Sequence, residues 1–442
     1  MKRKALLISS AILCFAGPVL TGCKNQQPVV SETVCVSNDV SAKCILKTAK
    51  ETIATIESHS DWVASATELA LALDSQGDSQ EDSQEDSQGG RSEAWAYLEQ
   101  ATLRLDSIVD VKARDAAAAD IALALKSMTQ NASVLPILNK LQAYGEGTES
   151  AGKRVDILCK IVSARAVHES PEKARKLAMS LSQNGDLANA YRGRTQREIA
   201  AVFAKQGDFD AALSLLDEIT TDFTYYKAIA QTDVMSEAAK SGKKDIVDAL
   251  QSQAEALANA QDNKYFSAGI LRDIGYSYFI LGYMELANKY LRKALSAAQK
   301  APKYQEKARA TSRIATRLAD AGQLSETLTI LEDAITLIEQ ENSKMMVSFS
   351  RYEVAGSAAF TNNIELSEKL VSELPDAAFL SATSLKAAGQ RDLAWGLVRH
   401  GRLEDGITLA NTIKVPREKV QALSRIIRLI NDPSMDALPR YL

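Results

Sequence analysis

The sequence predicts an all-α protein made of antiparallel helix pairs that recur about every 40 residues. Three observations carry this. Of 442 residues only 9 are proline and 6% aromatic, while the hydrophobic share is 46%, its surplus being alanine and leucine, which lose least on entering a helix. From Ile45 onward the apolar residues keep helical spacing almost throughout. Short turn signals recur at Gly207, Gly242, Gly282, Gly322, Asn362 and Gly401, at intervals of 35, 40, 40, 40 and 39 residues.

The same composition excludes a disordered chain, a collagen, a disulfide scaffold and an all-β sandwich. With 52 Lys and Arg against 56 Asp and Glu, net −4, the chain has no electrostatic reason to hold nucleic acid.

At the N-terminus Lys2, Arg3 and Lys4 precede an apolar run, Ala5 to Val19, too short and too broken by Gly17 and Pro18 to span a bilayer. The run ends in Leu20-Thr21-Gly22-Cys23, which resembles the bacterial lipobox. The resemblance implies that residues 1–22 are a lipoprotein signal peptide and that the Cys23 sulfur carries diacylglycerol. The alternative is an ordinary signal peptide with a chance cysteine. Three acyl chains on Cys23 would exceed what stable anchoring needs, since each buried methylene adds roughly 0.8 kcal/mol. Lys24 is not the Asp that retains enteric-type lipoproteins at the inner membrane. The resemblance therefore points to the outer membrane, on its periplasmic side, with surface display as a further possibility.

Residues 23–44 read as a lipidated tether. Cys35 and Cys44, eight residues apart in an oxidising compartment, are expected to form a disulfide that ties it down. Cys159 falls on the apolar side of Val155, Leu158, Ile161 and Val162 and reads as core packing. Residues 45–150 read as N-terminal helical pairs, interrupted over 74–92 by a low-complexity run of Asp/Glu-Ser-Gln triplets expected to be a solvated loop. Residues 151–442 read as the repeat array.

Inside the array the register is kept on both sides of each turn. Eight residues before it stand Ile199, Val234, Ile274, Ile314, Val354 and Leu393. One residue later come Ala200, Gly275, Ala315, Ala355 and Ala394, with Met235 the exception. Two helices joined by a tight turn approach closely only where the facing side chains are small, and flanking aliphatics then fill the grooves. Glycine suits the turn because it tolerates the left-handed conformation, and the residue two later (Phe209, Met284, Leu324, Ile364, Leu403) is expected to close the corner.

At these positions the chain resembles the tetratricopeptide repeat family. The match is best at Ile199-Ala200, Gly207, Ala212 and Leu216, and again at Ile274-Gly275, Gly282, Ala287 and Leu291. It covers about residues 155 to 430, with a weaker continuation at Ile53-Ala54, Asp61 and Ala66. The period is nearer 40 than the family's 34, and the proline after the second helix is missing or displaced to Pro302, Pro375 and Pro416. The resemblance implies a right-handed α-solenoid of seven to nine helix pairs that does not close on itself.

Catalytic chemistry finds no foothold. His59, His168 and His400 lie near turns of different pairs, too far apart for one zinc site. The run Gly147 to Lys153 imitates a phosphate loop, but Arg154 stands where a hydroxyl residue should bind magnesium. Ser241-Gly242-Lys243-Lys244 has a penicillin-binding spacing but coincides with a turn and lacks the companion motifs. No catalytic residue, metal or cofactor is expected.

What remains is the presumed inner face of each pair's first helix. Ten residues before the turn lie Arg197, Arg272 and Arg391, six before lie Tyr276 and Trp395, and two before lie Lys205, Lys240 and Arg399. One reading is ion pairing with Asp or Glu of a neighbouring pair. The other is a groove in which Arg197, Arg272, Tyr276, Arg391, Trp395 and Arg399 grip an acidic or aromatic segment of an envelope protein, since arginine and aromatic side chains dominate binding hot spots. The function expected is a non-enzymatic protein–protein interaction scaffold, held at the membrane through acylated Cys23. The alternative is a solenoid that binds or acts on peptidoglycan or another glycan.

Overall fold

In the computed structural model, residues 41–76, 84–181, 188–220, 224–376, 378–379 and 383–433 are described. Ser41 caps α1 (Ala42–Ile53), its hydroxyl accepting from the Cys44 amide. Then follow α2 (His59–Gln76), α3 (Gln84–Arg104), α4 (Val111–Ser127), α5 (Leu135–Gly147), α6 (Ala151–His168) and α7 (Pro171–Leu181). The regular series comprises α8 (Ala188–Lys205), α9 (Phe209–Glu218), α10 (Thr224–Lys240), α11 (Lys244–Asn259), α12 (Lys264–Ile280) and α13 (Met284–Ala298). It continues through α14 (Tyr304–Asp320), α15 (Leu324–Ile338), α16 (Lys344–Phe360) and α17 (Ile364–Ser372). The last helices are α18 (Leu385–Arg399), α19 (Leu403–Thr412) and α20 (Pro416–Asn431). A two-residue antiparallel ladder, β1 (Ala378–Phe379) with β2 (Thr383–Ser384), precedes α18. The described part of the chain is thus all-α but for this ladder.

Each turn in the periodic series is made the same way. Gly207, Gly242, Gly282, Gly322 and Gly401 have φ between 68° and 84°, and Asn362 has φ 63°. The residue after each donates its amide back to a carbonyl five residues earlier, as in Tyr283 N to Tyr278 O at 2.9 Å and Arg402 N to Leu397 O at 2.9 Å. This left-handed cap satisfies carbonyls that a helix end leaves without partners and reverses the chain. Behind the turns, the aliphatic residues Ile199, Val234, Ile274, Ile314, Val354 and Leu393 are all buried. A Cβ on Gly275 would stand 3.1 Å from the Ala287 carbonyl oxygen of α13, so the small residue there reflects close approach of the paired helix.

The even-numbered helices α2 to α18 are the first members of nine pairs, and each packs on the next even helix as well as on its own odd partner. The series then departs from an open array, because α20 packs against both α1 and α2. Arg417 lies 3.3 Å from Asp61, Arg425 lies 3.5 Å from Glu68, and Asn431 donates to Ser75 at 3.2 Å. The partner numbers rise together, so α20 runs parallel to α2. Val420, Leu423, Ile426 and Ile427 of α20 are buried, as are Ile45, Ala49 and Ile53 of α1. A tenth pair therefore joins the first described helix, α1, to the last, α20, and the circuit of first helices is complete. Its two ends differ. One carries the glycine turns and the C-termini of the even helices. The other carries their N-termini. Because α1 leads by a short link into the start of α2, Ala42 lies at the turn end.

Three expectations are corrected. Asp74 to Gln76 belong to α2, and α3 begins at Gln84, so the low-complexity run is not a loop throughout 74–92. Asp74 is buried and caps the chain after α4 by accepting the Thr129 amide at 2.8 Å. The N-terminal continuation is out of register, because α1 ends at Ile53 and Ile53-Ala54 is not inside a first helix. Met284 and Leu324 do not close their corners but are exposed.

Candidate functional site

The even helices present their polar residues to one another, and these gather into two cavities on the first-helix face. A cavity of about 390 Å³ lies where α4, α6, α8 and α10 meet, its wall including Lys126, Asp156, Arg194, Arg197, Tyr225 and Tyr226. Arg197 donates to Asp233 of α10 at 2.7 Å, and Arg194 to Asp156 of α6 at 2.9 Å. Glu198 of α8 accepts from Lys126 of α4 and, at 3.0 Å, from the Ser163 hydroxyl of α6. Burial would raise the Glu198 carboxyl, but Lys126 and Arg197 outweigh it and hold its pKa at about 2. Burial would likewise lower Arg197, yet Asp233 and Glu198 keep it above its usual value. The Tyr225 ring lies against Phe266 of α12, centroids 4.4 Å apart and planes tilted by 48°, and burial lifts its hydroxyl pKa to about 12.

A second cavity, of about 450 Å³, lies where α18 and α20 meet α2 and α4, lined among others by Glu68, Asp120, Arg391, Trp395, Arg417 and Arg425. Leu123 of α4 borders both cavities. Glu68 resists the upward push of burial because Arg425, Arg428 and Arg391 surround it, and its pKa falls. Asp120 goes the other way: burial raises it, and Lys160 and Arg417 do not fully compensate.

The residues singled out from sequence are dispersed. Arg197 lines the first cavity. Arg391 lies buried beside the second, holding Asp392 at 2.8 Å, Glu418 at 2.7 Å, Gln421 at 2.9 Å and the Tyr352 hydroxyl at 2.8 Å. Trp395 is 6% exposed, edge-on to Phe360 with ring centroids 5.2 Å apart, so it offers no open face to a partner. Arg272 is buried and bonded to its neighbour Asp273 at 2.8 Å. Tyr276 lies beneath the Arg317 guanidinium, 3.7 Å from it, and Arg317 and Arg399 both reach Asp320, at 3.1 Å and 3.0 Å. Arg197, Arg391 and Arg399 thus pair with carboxylates on other first helices.

Cys44 is disulfide-bonded, while Cys23 and Cys35 lie outside the described residues. Cys159 is buried and free. His168 is buried, its ring bonded to the Asn131 amide and the Leu125 carbonyl. Among the described residues no group of His, Cys, Asp or Glu is placed to hold a metal ion, and no helix is long and apolar enough to cross a membrane.

Sequence reading missed Lys126, Asp156, Glu198, Tyr225 and Tyr226. The period held a signal for the last two, because Tyr225-Tyr226 and Tyr265-Phe266 stand 40 residues apart at the start of successive first helices. No protein-family model matches this chain, and neither does any curated protein.

Proposed function

We propose that this protein is a non-enzymatic interaction scaffold, held by acylated Cys23 on the periplasmic side of a bacterial outer membrane. In this reading its body is a right-handed, tetratricopeptide-like solenoid whose last pair has come round to its first. The observation that carries it is the first cavity. There Tyr225 and Tyr226, half-buried, stand beside Arg194 and Arg197 at the meeting of several first helices. Arginine and tyrosine in a partly desolvated recess are the side chains best suited to grip an acidic or aromatic segment of a partner protein. The lipid anchor confines protein and partner to one surface layer and so raises effective concentration.

A photo-crosslinker in place of Tyr226 in living cells is expected to trap one envelope protein, and the same group in place of buried Trp395 is expected to trap none. Arg194→Ala with Tyr225→Ala should cut the captured yield about tenfold, which is 1.4 kcal/mol, without changing helical content. Unaltered yield rejects the scaffold reading.

A second reading has an observation of its own. Tyr225 and Tyr226 line the first cavity beside Asp156 and Glu198, and aromatic rings with carboxylates suit a peptidoglycan or other glycan strand. Co-sedimentation with purified cell wall, abolished by Tyr225→Ala, would favour it over the protein partner, and clearing of a cell-wall gel would add an activity.

A further inference from the structure

We propose that the second cavity binds a small protonated amine that carries neutral oxygens beside its nitrogen, with the size and chemistry of an amino sugar. The site is separate from the first cavity and does not depend on the lipid anchor.

Charge around this cavity is balanced except at one place. The four arginines that line it are matched by four carboxylates. Arg391 holds Asp392 at 2.8 Å and Glu418 at 2.7 Å, and Arg417 lies 3.3 Å from Asp61. Arg425 reaches Asp392 at 3.2 Å and Glu68 at 3.5 Å, and Arg428 lies 3.7 Å from Glu68. Asp120, which also lines the cavity, is left over. Among the described residues no group hydrogen-bonds to its carboxylate or forms an ion pair with it. Lys160 of α6 attracts it, but that ammonium is bonded to Asp156 at 3.0 Å. A carboxylate taken out of water without a partner is costly, so this corner of the protein is short of one positive charge.

A proton alone would settle the charge and leave other polar groups of the wall idle. Gln421, 7% exposed, uses its carbonyl oxygen to accept from Arg391 at 2.9 Å, while its amide nitrogen donates to no described group. Arg428 has its ion pair with Glu68 but no hydrogen bond to a described residue. Both line the same cavity as Asp120. An ammonium on Asp120, with hydroxyl or ring oxygens accepting from Gln421 and Arg428, answers both shortages together. A phosphate would meet Glu68 and Asp120 as like charges, and a bare alkylamine would leave the donors unused. The volume, about 450 Å³, is that of a small-molecule site. Because α2 and α4 supply one wall and α18 and α20 the other, an occupant also ties the two ends of the circuit together.

The test is calorimetric titration of the purified full chain with glucosamine near neutral pH, set beside glucose, ethylamine and inorganic phosphate. Glucosamine is expected to bind at least about tenfold more tightly than each of the other three and to raise the melting temperature. It should also slow hydrogen exchange in α2 and α20 and leave α12 to α15 unchanged. Asp120→Asn removes the charge and keeps the shape. Since the carboxylate holds no other group in place, this variant should melt no lower than the parent yet bind glucosamine at least about tenfold more weakly. Tyr226→Ala, in the first cavity, should leave glucosamine binding unchanged. Equal binding of glucose or ethylamine, or undiminished affinity in Asp120→Asn, overturns the proposal. Displacement of glucosamine by equimolar potassium overturns it too, since that marks a counter-ion site only. No binding of glucosamine at all does the same and assigns Asp120 a proton. The exchange pattern locates the site in the parent chain without any variant, and protection confined to α6, α8 and α10 would place the amine in the first cavity and reject the assignment.

Discussion

Glu198 joins three first helices through one carboxylate, since Lys126 of α4 and Ser163 of α6 both bond to it from across the cavity. Its pKa of about 2 lies below the ordinary 4.5, so its contribution to stability is complete above 4.5 and disappears as pH falls toward 2. Glu198→Gln is expected to lower stability near neutrality by about 2–3 kcal/mol, because the attraction of Lys126 and Arg197 for the buried carboxylate is lost. The variant should also lose less than the parent between about pH 5 and pH 2.5. Urea midpoints at the two ends of that range check both statements. Cys159 offers a second measurement: burial pushes its thiol up to about 12. Iodoacetamide at mildly alkaline pH should leave it unmodified in the native protein and react fully in guanidinium. The burial of Cys159 was legible from the aliphatics around it. The role of Glu198 was not, because its partners lie 35 and 72 residues away and no helical period links them.

Helix boundaries follow the turns, and the turns could be read because a left-handed φ leaves few residue types to choose from. Asn362 is the one non-glycine at such a φ among the described residues. Asn362→Gly is expected to be neutral or to stabilise by up to about 1 kcal/mol, whereas Gly282→Ala should cost about 1 kcal/mol. Thermal melts of the two variants should shift accordingly. Contacts between first helices are as demanding. A Cβ at Gly396 of α18 would come within 2.6 Å of the Ala359 Cβ and 2.8 Å of its carbonyl oxygen on α16. Gly396→Ala should therefore force α16 and α18 apart at a cost of about 1–3 kcal/mol, measured by denaturant unfolding. The start of α3 escaped the sequence reading because Ser, Asp and Gly are weak helix formers, and local composition cannot register that such a stretch continues into Trp95 and Leu98. The exposure of Met284 and Leu324 escaped it for a related reason: an apolar residue at a packing position reads as packed whether or not anything covers it.

At the scale of the whole molecule, periodicity speaks only of neighbours. It established the pairs, but it carried no information on whether the array stays open, a matter decided by contacts such as Arg417–Asp61 and Arg425–Glu68 between residues more than 350 positions apart. The second cavity was hidden for the same reason, since α2 and α4 form one wall and α18 and α20 the other. Glu68 faces Arg425 and Arg428 at this junction. Glu68→Ala is expected to cost about 2 kcal/mol, the loss being moderated by partial exposure of the group. Hydrogen exchange should then rise together in α1, α2 and α20, while α10 to α15 keep their protection. Uniform loosening of all helices would show that the junction is not a separate unit.

The division of one pair between the two ends of the chain bears on how the protein is made. Of the described helices α1 leaves the ribosome first, and it stays without its mate until α20 has followed. A polypeptide cut short by even one helix presents Ile45 and Ala49 to water at one edge and an unfinished flank at the other. Quality-control proteases would meet two oily margins on an incomplete copy that the finished one covers. Because Ala42 and Asn431 lie at the same end on adjoining helices, a circular permutant that links them and starts after Gly242 should fold to the same structure. In that permutant α1 and α20 would emerge one after the other.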